Sequence, residues 1–313
     1  PAYKNPDVIA HFDTLKIEQE SEDRVLVSGC RGSSAPKTHK VCVNLEGGLR
    51  NGTEILLTGI DIEEKAKIVT DLIFENVGGK DQFDHVDIQL IRTDHENPVS
   101  NEGAQASLRI SVMSQNPDLV GRLFNAKIVE LSLATIPGYT GRSGMPAGPY
   151  IQYWPALIDS KFITEMVHID GKSIEVTPTS QMDYEEIYYQ KEPYENEMPD
   201  VDKLITTKFG NLYGTRSGDK GGCANLGVWA KNQETYAYLF EFLTVEKLKE
   251  LLPDLRNFEI DRYDLPNIFS LNFYVHDILQ EGVSSSTRLD GQAKSLGEYL
   301  RAKDIEVPDF LIN

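Results

Sequence analysis

Several things are scarce in this sequence, and each scarcity removes a class of function. No apolar run approaches the roughly 20 residues that a bilayer-crossing helix needs. The longest, AKIVELSLATI at 126–136, is broken by Glu130 and predicts a core helix instead. Basic residues are outnumbered, 31 Lys and Arg against 49 Asp and Glu, for a formal net charge of -18. No nucleic acid is expected as a partner, because its binders present a basic face. Cysteine is limited to Cys30, Cys42 and Cys223. Thiols so few and so widely spaced make neither a disulfide framework nor a zinc pattern, which points to a reducing compartment and a cytoplasmic protein. The six histidines are scattered without an H-E-x-x-H spacing, so no metal site is expected. No signal peptide is visible, although a start at Pro1 rather than Met leaves organelle targeting open.

What remains is a globular pattern. At 313 residues the chain exceeds the usual size of one domain, which predicts two. The best boundary lies at 171–202, where MDYEEIYYQKEPYENEMPDVD gathers acids and tyrosines around one lysine. A solvated linker is the reading there, between a domain at 1–170 and another at 203–313. In the first, RVLVSG, HKVCVNL and TEILLTG read as short strands, and DIEEKAKIVTDLIFENVGG as a helix stopped by its glycines. HVDIQLI and QASLRISVM read as further strands. NPDLVGRLFNAKIVELSLA opens a second helix, with Asn116 as N-cap and Pro117 at the first helical position. Strands mixed with two helices make an α/β or α+β domain. After the linker the order is strand, glycine-rich stretch, strand, helices, two strands, helix. That order suits a compact α+β sandwich with helices on one face of a small antiparallel sheet.

The chemistry-bearing residues concentrate in three loops. In GTRSGDKGGCANLGV, at 214–228, four glycines surround Arg216, Ser217, Asp219 and Lys220. It is not a phosphate loop of the G-x-x-x-x-G-K-[ST] kind, because Gly221 follows Lys220, and it lacks G-x-G-x-x-G. Positive φ, which the glycines at 214, 218, 221 and 222 permit, would let backbone N–H groups converge on an anion. Arg216 would add a bidentate fork, Asn225 an amide, and Lys220, Asp219 and Ser217 the groups for proton transfer. The alternative is a hairpin whose D-K-G-G tip is chosen for turn geometry. A second loop, IPGYTGRSGMPAGPY at 136–150, repeats Arg-Ser-Gly and offers Arg142 as an anion ligand, although a Gly/Pro-rich helix-to-strand connection needs no ligand to explain it. The third, SGCRGSSAPKTHK at 28–40, is locally basic through Arg31 and Lys37 and is the best second anion site by composition.

Taken together, RSGDKGGCANLGVWAK, LNFYVHDIL and STRLDGQAKSLGEYLRAKDIEVP resemble the C-terminal part of the acyclic terpene utilisation (AtuA-like) proteins. PAYKNPDVIAHFDTLKI, DRVLVSGCRGSSAPKTHKV and YIQYWPALI resemble the central region of that family. The resemblance implies a mixed-sheet α/β domain followed by a ferredoxin-like α+β sandwich, with a further α/β half of the family upstream of Pro1. It also implies a place in the breakdown of acyclic terpenoids through acyl-CoA thioesters. The expected activity is that of an enzyme acting on a branched or hydroxylated acyl compound, as acid or CoA thioester, by hydratase or lyase chemistry with no redox cofactor evident. A small-molecule substrate and a homo-oligomer are the expected partners, with no membrane. Gly222 departs from the commoner SGDKGD form and removes one carboxylate. A non-catalytic subunit or scaffold is the competing expectation.

Overall fold

The computed structural model of the chain describes residues 2–141, 146–176 and 203–312. These form two compact units, one from Pro1–Val43 with Tyr153–Asn313, the other from Asn44–Gln152. The division follows space rather than order, for residues 1–43 belong with the C-terminal portion. Most of the acidic, Tyr-rich stretch lies outside the described residues. Among the described residues, no helix is long and apolar enough to cross a membrane.

The first unit begins with five strands, β1 (Ala2–Lys4), β2 (Val8–His11), β3 (Lys16–Ser21), β4 (Arg24–Ser28) and β5 (Arg31–Ser34). A small sheet runs β1-β2-β5, while β3 and β4 form a separate two-stranded ribbon. Strand β6 (Thr38–Thr58) then runs from this unit into the second.

The second unit is a sheet with helices on one face. It continues with α1 (Ile62–Glu75), β7 (His85–Ile91), β8 (Gln105–Ser114), α2 (Phe124–Leu131), β9 (Tyr139–Gly141) and β10 (Gly148–Asp159). The sheet order is β10-β6-β8-β7, with β9 paired to β6. HKVCVNL and TEILLTG, expected as two strands, are parts of one. The glycines between them do not break the chain: a Cβ at Gly47 would stand 2.2 Å from the Tyr150 ring, so this glycine makes room for a side chain. Alternation turns Ile55 and Leu57 of β6, with Leu108, Ile110 and Val112 of β8, toward the helices. There they meet Val69 and Ile73 of α1 and Phe124 and Ile128 of α2 in one core. Phe83 bridges Phe74 and Phe124 edge-on, at 5.7 and 6.4 Å between ring centroids. Asn116 caps the second helix as expected, its Oδ1 accepting from the N–H groups of Asp118 and Leu119. The helix ends at Leu131, short of the predicted 136, and opens with a wide π turn at Leu119–Leu123. That turn serves Asn51 of β6, whose Nδ2 donates to the Val120 carbonyl at 2.8 Å.

The rest of the first unit starts with the ribbon of β11 (Glu165–Ile169) and β12 (Lys172–Val176). Beyond residue 202 come β13 (Leu204–Lys208), α3 (Phe209–Leu212), β14 (Gly214–Lys220), β15 (Cys223–Trp229), α4 (Gln233–Phe242), α5 (Val245–Leu251), β16 (Ile260–Leu265), β17 (Ser270–Val275), α6 (Leu296–Arg301) and β18 (Asp304–Pro308). The main sheet is ordered β14-β15-β17-β16 and is antiparallel throughout. The succession β15, α4–α5, β16, β17, α6 is five-sixths of a βαββαβ sandwich. The edge beside β15, where the sixth element would return, is filled by β14 from the N-terminal side. Strand β18 instead pairs with β13 in a ribbon of its own. Ala224, Leu226 and Val228 alternate inward with Leu271, Phe273 and Val275, and the helices cover that face through Leu239, Leu248 and Leu300. Fully burying one such side chain stabilises by about 1.5–3 kcal/mol.

Candidate functional site

The glycine-rich stretch is a hairpin. All seven residues of β14 pair with β15, and only Gly221 and Gly222 form the turn. Gly221 has φ of 67° and Gly222 does not share the positive sign, the pattern of a turn with glycine at its first central position. The expected convergence of N–H groups on an anion is therefore not formed, because the ladder orders the backbone of 214–220 and Gly218 keeps a negative φ. The tip is packed: a Cβ on Gly221 would lie 2.8 Å from the Tyr153 ring, and one on Gly222 2.0 Å from the Gln280 carbonyl oxygen.

Strand alternation separates the predicted catalytic set. Ser217 turns inward, buried, and its Oγ accepts the Gly297 N–H at 2.9 Å, tying β14 to α6. Asp219 shares that side, opposite Ala224. Arg216, Gly218 and Lys220 face outward, with Asn225 across from Gly218. Arg216 and Lys220 are exposed, and their Cα atoms lie about 13 Å apart at strand rise. Lys220 Nζ donates to the Asp219 carbonyl at 2.9 Å. Nothing stands within 4 Å of a Cβ built on Gly218, so the floor between the two cations is open. Asn225 Nδ2 donates to Asn272 Oδ1 at 3.3 Å. Burial, aided by a hydrogen bond with Cys223, pushes the Tyr274 hydroxyl well above its ordinary range.

The second unit holds a more enclosed site. A cavity of about 490 Å³ is lined by residues 50–54 of β6, Arg109 and Ser111 of β8, and Pro146, Gly148 and Pro149. Its volume lies in the range of small-molecule sites. Arg50, Gly52 and Glu54 share the face that turns away from the helices, since Asn51 and Thr53 between them are buried. Gly52 pairs with Ser111 and Glu54 with Arg109. Glu54 Oε1 accepts the Ser107 hydroxyl at 2.7 Å, and Arg109 Nη1 donates to Gln89 Oε1 at 3.4 Å. The arrangement is a floor of small residues with a guanidinium at one end and, at the other, a carboxylate and a guanidinium on neighbouring strands. Such a site can grip a carboxylate or carbonyl and exchange a proton beside it.

The remaining predicted residues stand apart. Arg31 is exposed on β5, with its N–H donating to Thr14 Oγ1 at 2.9 Å. Lys37 is exposed, and its carbonyl accepts the Ser160 N–H at 3.0 Å. Arg142 lies outside the described residues, though Pro146, Gly148 and Pro149 of the same loop wall the cavity.

Residues 1–169, more than half of the chain, match the model of the acyclic terpene utilisation family protein AtuA. The chain belongs to the acyclic terpene utilisation family. Residues 207–306 match a second model, the AtuA ferredoxin-like domain, which coincides with the four-stranded sheet and its helices. Neither a curated protein nor a solved structure matches the chain.

In this acyclic terpene utilisation protein, the sequence reading missed Arg50, Glu54, Arg109 and Ser111. A signal was present: RNGTE at 50–54 has the spacing of RSGDK at 216–220, charged residues two places either side of a glycine. On a strand that spacing puts both charges on one face with a gap between. Glu259, Asp261 and His276, which also cluster, were missed because pairing of β16 with β17 assembles them.

Proposed function

We propose that this chain is part of an enzyme of acyclic terpenoid or branched acyl breakdown, and that the cavity of the Asn44–Gln152 unit holds the acyl part of its substrate. The observation that carries this reading is the placement of Arg50, Glu54 and Arg109 around the small floor of Gly52 and Ser111. In a chain of net charge -18, two arginines lining one cavity favour an anionic or strongly polarised guest. Arg50 and Arg109 hold a carboxylate or polarise a thioester carbonyl, and Glu54 carries the proton. In hydration the C=C π bond opens as water oxygen joins the β carbon, Glu54 takes the water proton, and Glu54 returns one proton to the α carbon, which regenerates its carboxylate. Elimination reverses these steps. No electrons are exchanged overall, so this chemistry needs no redox cofactor, and CoA enters only as part of a substrate. Ser217 and Asp219, on the helix-facing side of the hairpin, have no part in this reading. Arg216, Lys220 and Asn225 offer a second, open place for an anion.

The test is thermal stability of the chain and of Arg109→Ala, Glu54→Gln and Lys220→Ala variants against branched free acids, their acyl-CoAs and nucleotides. A ligand at 100 times its dissociation constant stabilises by roughly 2.7 kcal/mol, a readily measured shift. The expected result is a shift by acids or acyl-CoAs that Arg109→Ala abolishes and Lys220→Ala leaves intact. A shift lost in Lys220→Ala alone moves the site to the hairpin face, and no shift with any acyl compound overturns the reading.

A second reading, assembly into a homo-oligomer with a scaffolding role, is favoured by two ribbons that pair with no further strand among the described residues. Val167, Ile169, Ile174 and Val176 of β11–β12 are all exposed, as are Ile17, Val25, Leu26 and Val27 of β3–β4. An isolated two-stranded ribbon is marginal in water and needs cover. Light scattering checks this: the parent should be larger than a monomer, and Val167→Lys with Ile174→Lys should release monomers.

A further inference from the structure

At one end of the four-stranded sheet, β16 and β17 bring three ligand-type side chains together. The His276 N–H donates to the Glu259 carbonyl at 3.0 Å, so these residues face each other just past the ladder. Asp261, two places along from Glu259, points to the same outer face and pairs with Tyr274. The carboxylate oxygens of Glu259 and Asp261 and an imidazole nitrogen of His276 all lie within 4.8 Å of one another. His276 Nε2 stands 2.9 Å from Asp261 Oδ2. The edge of Tyr274 meets the imidazole at 4.9 Å and 85°, which restrains the ring.

The donor set is chemically suited to a cation. Two carboxylates this close repel, and among the described residues the ion-pair partner of Asp261 is His276, with no Lys or Arg on either acid. A metal-bound imidazole is neutral, so two carboxylate ligands match the charge of one divalent ion. The donor set is one nitrogen and two oxygens, which suits zinc better than the all-oxygen preference of magnesium or calcium. The donors sit on paired strands or one residue beyond, so little ordering remains to be done on binding.

We propose that Glu259, Asp261 and His276 form a binding site for one divalent transition-metal ion of the zinc class. Three protein ligands leave at least one coordination position open to water or to an oxygen of a bound molecule, on the solvent side of the sheet. None of the three residues lines the cavity of Arg50 and Arg109.

Calorimetric titration of the chelator-stripped chain with ZnCl₂ tests this, with CoCl₂ absorption as a second readout of the ligand set. Zinc should bind in a single equivalent, and Co²⁺ should give visible bands that Zn²⁺ displaces. MgCl₂ should give no matching heat. Both His276→Ala and Glu259→Gln should weaken zinc binding at least about tenfold. Glu259 is exposed, so its amide variant keeps the fold and reports on the ligand alone. No zinc binding by the parent, or binding unchanged in both variants, overturns the proposal.

Discussion

At the scale of single residues, the same device occurs in both units: a glycine in mid-strand clears a floor between charged side chains. Gly52 lies between Arg50 and Glu54, and Gly218 between Arg216 and Lys220. Neither has positive φ, so these glycines supply space rather than an unusual backbone. The glycines of the hairpin tip serve a different need, and two substitutions separate the roles. Gly222→Ala drives a methyl to 2.0 Å from the Gln280 carbonyl oxygen, a backbone atom also held by the turn around it. Overpacking of this kind costs about 1–3 kcal/mol. Gly218→Ala meets nothing within 4 Å and should leave the urea midpoint within about 0.5 kcal/mol of the parent. Equal losses for the two variants would refute the distinction.

At the scale of elements, the wide turn at Leu119–Leu123 earns its shape from Asn51. That side chain is buried, donates to the Val120 carbonyl and to Asn125 Oδ1 at 3.0 Å, and accepts from the Gly52 N–H at 2.8 Å. It thereby ties α2 to the strand that floors the cavity. Asn51→Ala leaves a buried carbonyl without its donor and should cost about 1–3 kcal/mol, weakening any acyl ligand of the cavity as well. Asn116→Ala removes only the cap at the start of the same helix and should cost about 1 kcal/mol with ligand binding unchanged. Denaturation midpoints and ligand-induced shifts, measured on both, check the contrast. The cap was legible in the sequence because capping is a local preference of Asn before Pro117. The helix at 62–75 and the alternation of 105–114 were legible for the same reason, their periods being written in consecutive residues. The π turn was not, since its cause sits some 70 residues away at Asn51. The long β6 was misread because Gly47 resembles a turn residue until Tyr150 is placed against it. The hairpin's polar residues stand together in sequence, yet the two-residue period of a strand sends Ser217 and Asp219 to one face and Arg216 and Lys220 to the other. Arg109 and Glu54, distant in sequence, meet only through strand register.

At the scale of the whole molecule, charge and buried phenols make the fold sensitive to alkali. Burial pushes the Tyr139 hydroxyl up to about 12 in the second unit, where it donates to the Ile128 carbonyl at 2.8 Å. Burial likewise raises Tyr213 in the first unit, beyond the range of ordinary phenols. An unfolded tyrosine loses its proton near pH 10, whereas these keep theirs to higher pH in the fold. Between those limits the native state binds more protons than the unfolded state, so stability is fully present below about pH 10 and falls as pH rises above it. The net charge of -18 acts in the same direction, because each further ionisation adds to self-repulsion. Salt distinguishes the two causes. Raising ionic strength from about 0.01 to 0.15 M shortens the screening length from about 30 to 8 Å, which relieves repulsion among surface acids and leaves buried phenols little affected. The melting temperature should therefore rise with salt at pH 7. Above pH 10 salt should recover only part of the loss, and Tyr139→Phe should flatten the remaining slope. A melting temperature indifferent to salt at pH 7 would show that the acidic surface is already balanced locally, and a Tyr139→Phe slope equal to the parent's would remove this phenol from the alkaline transition.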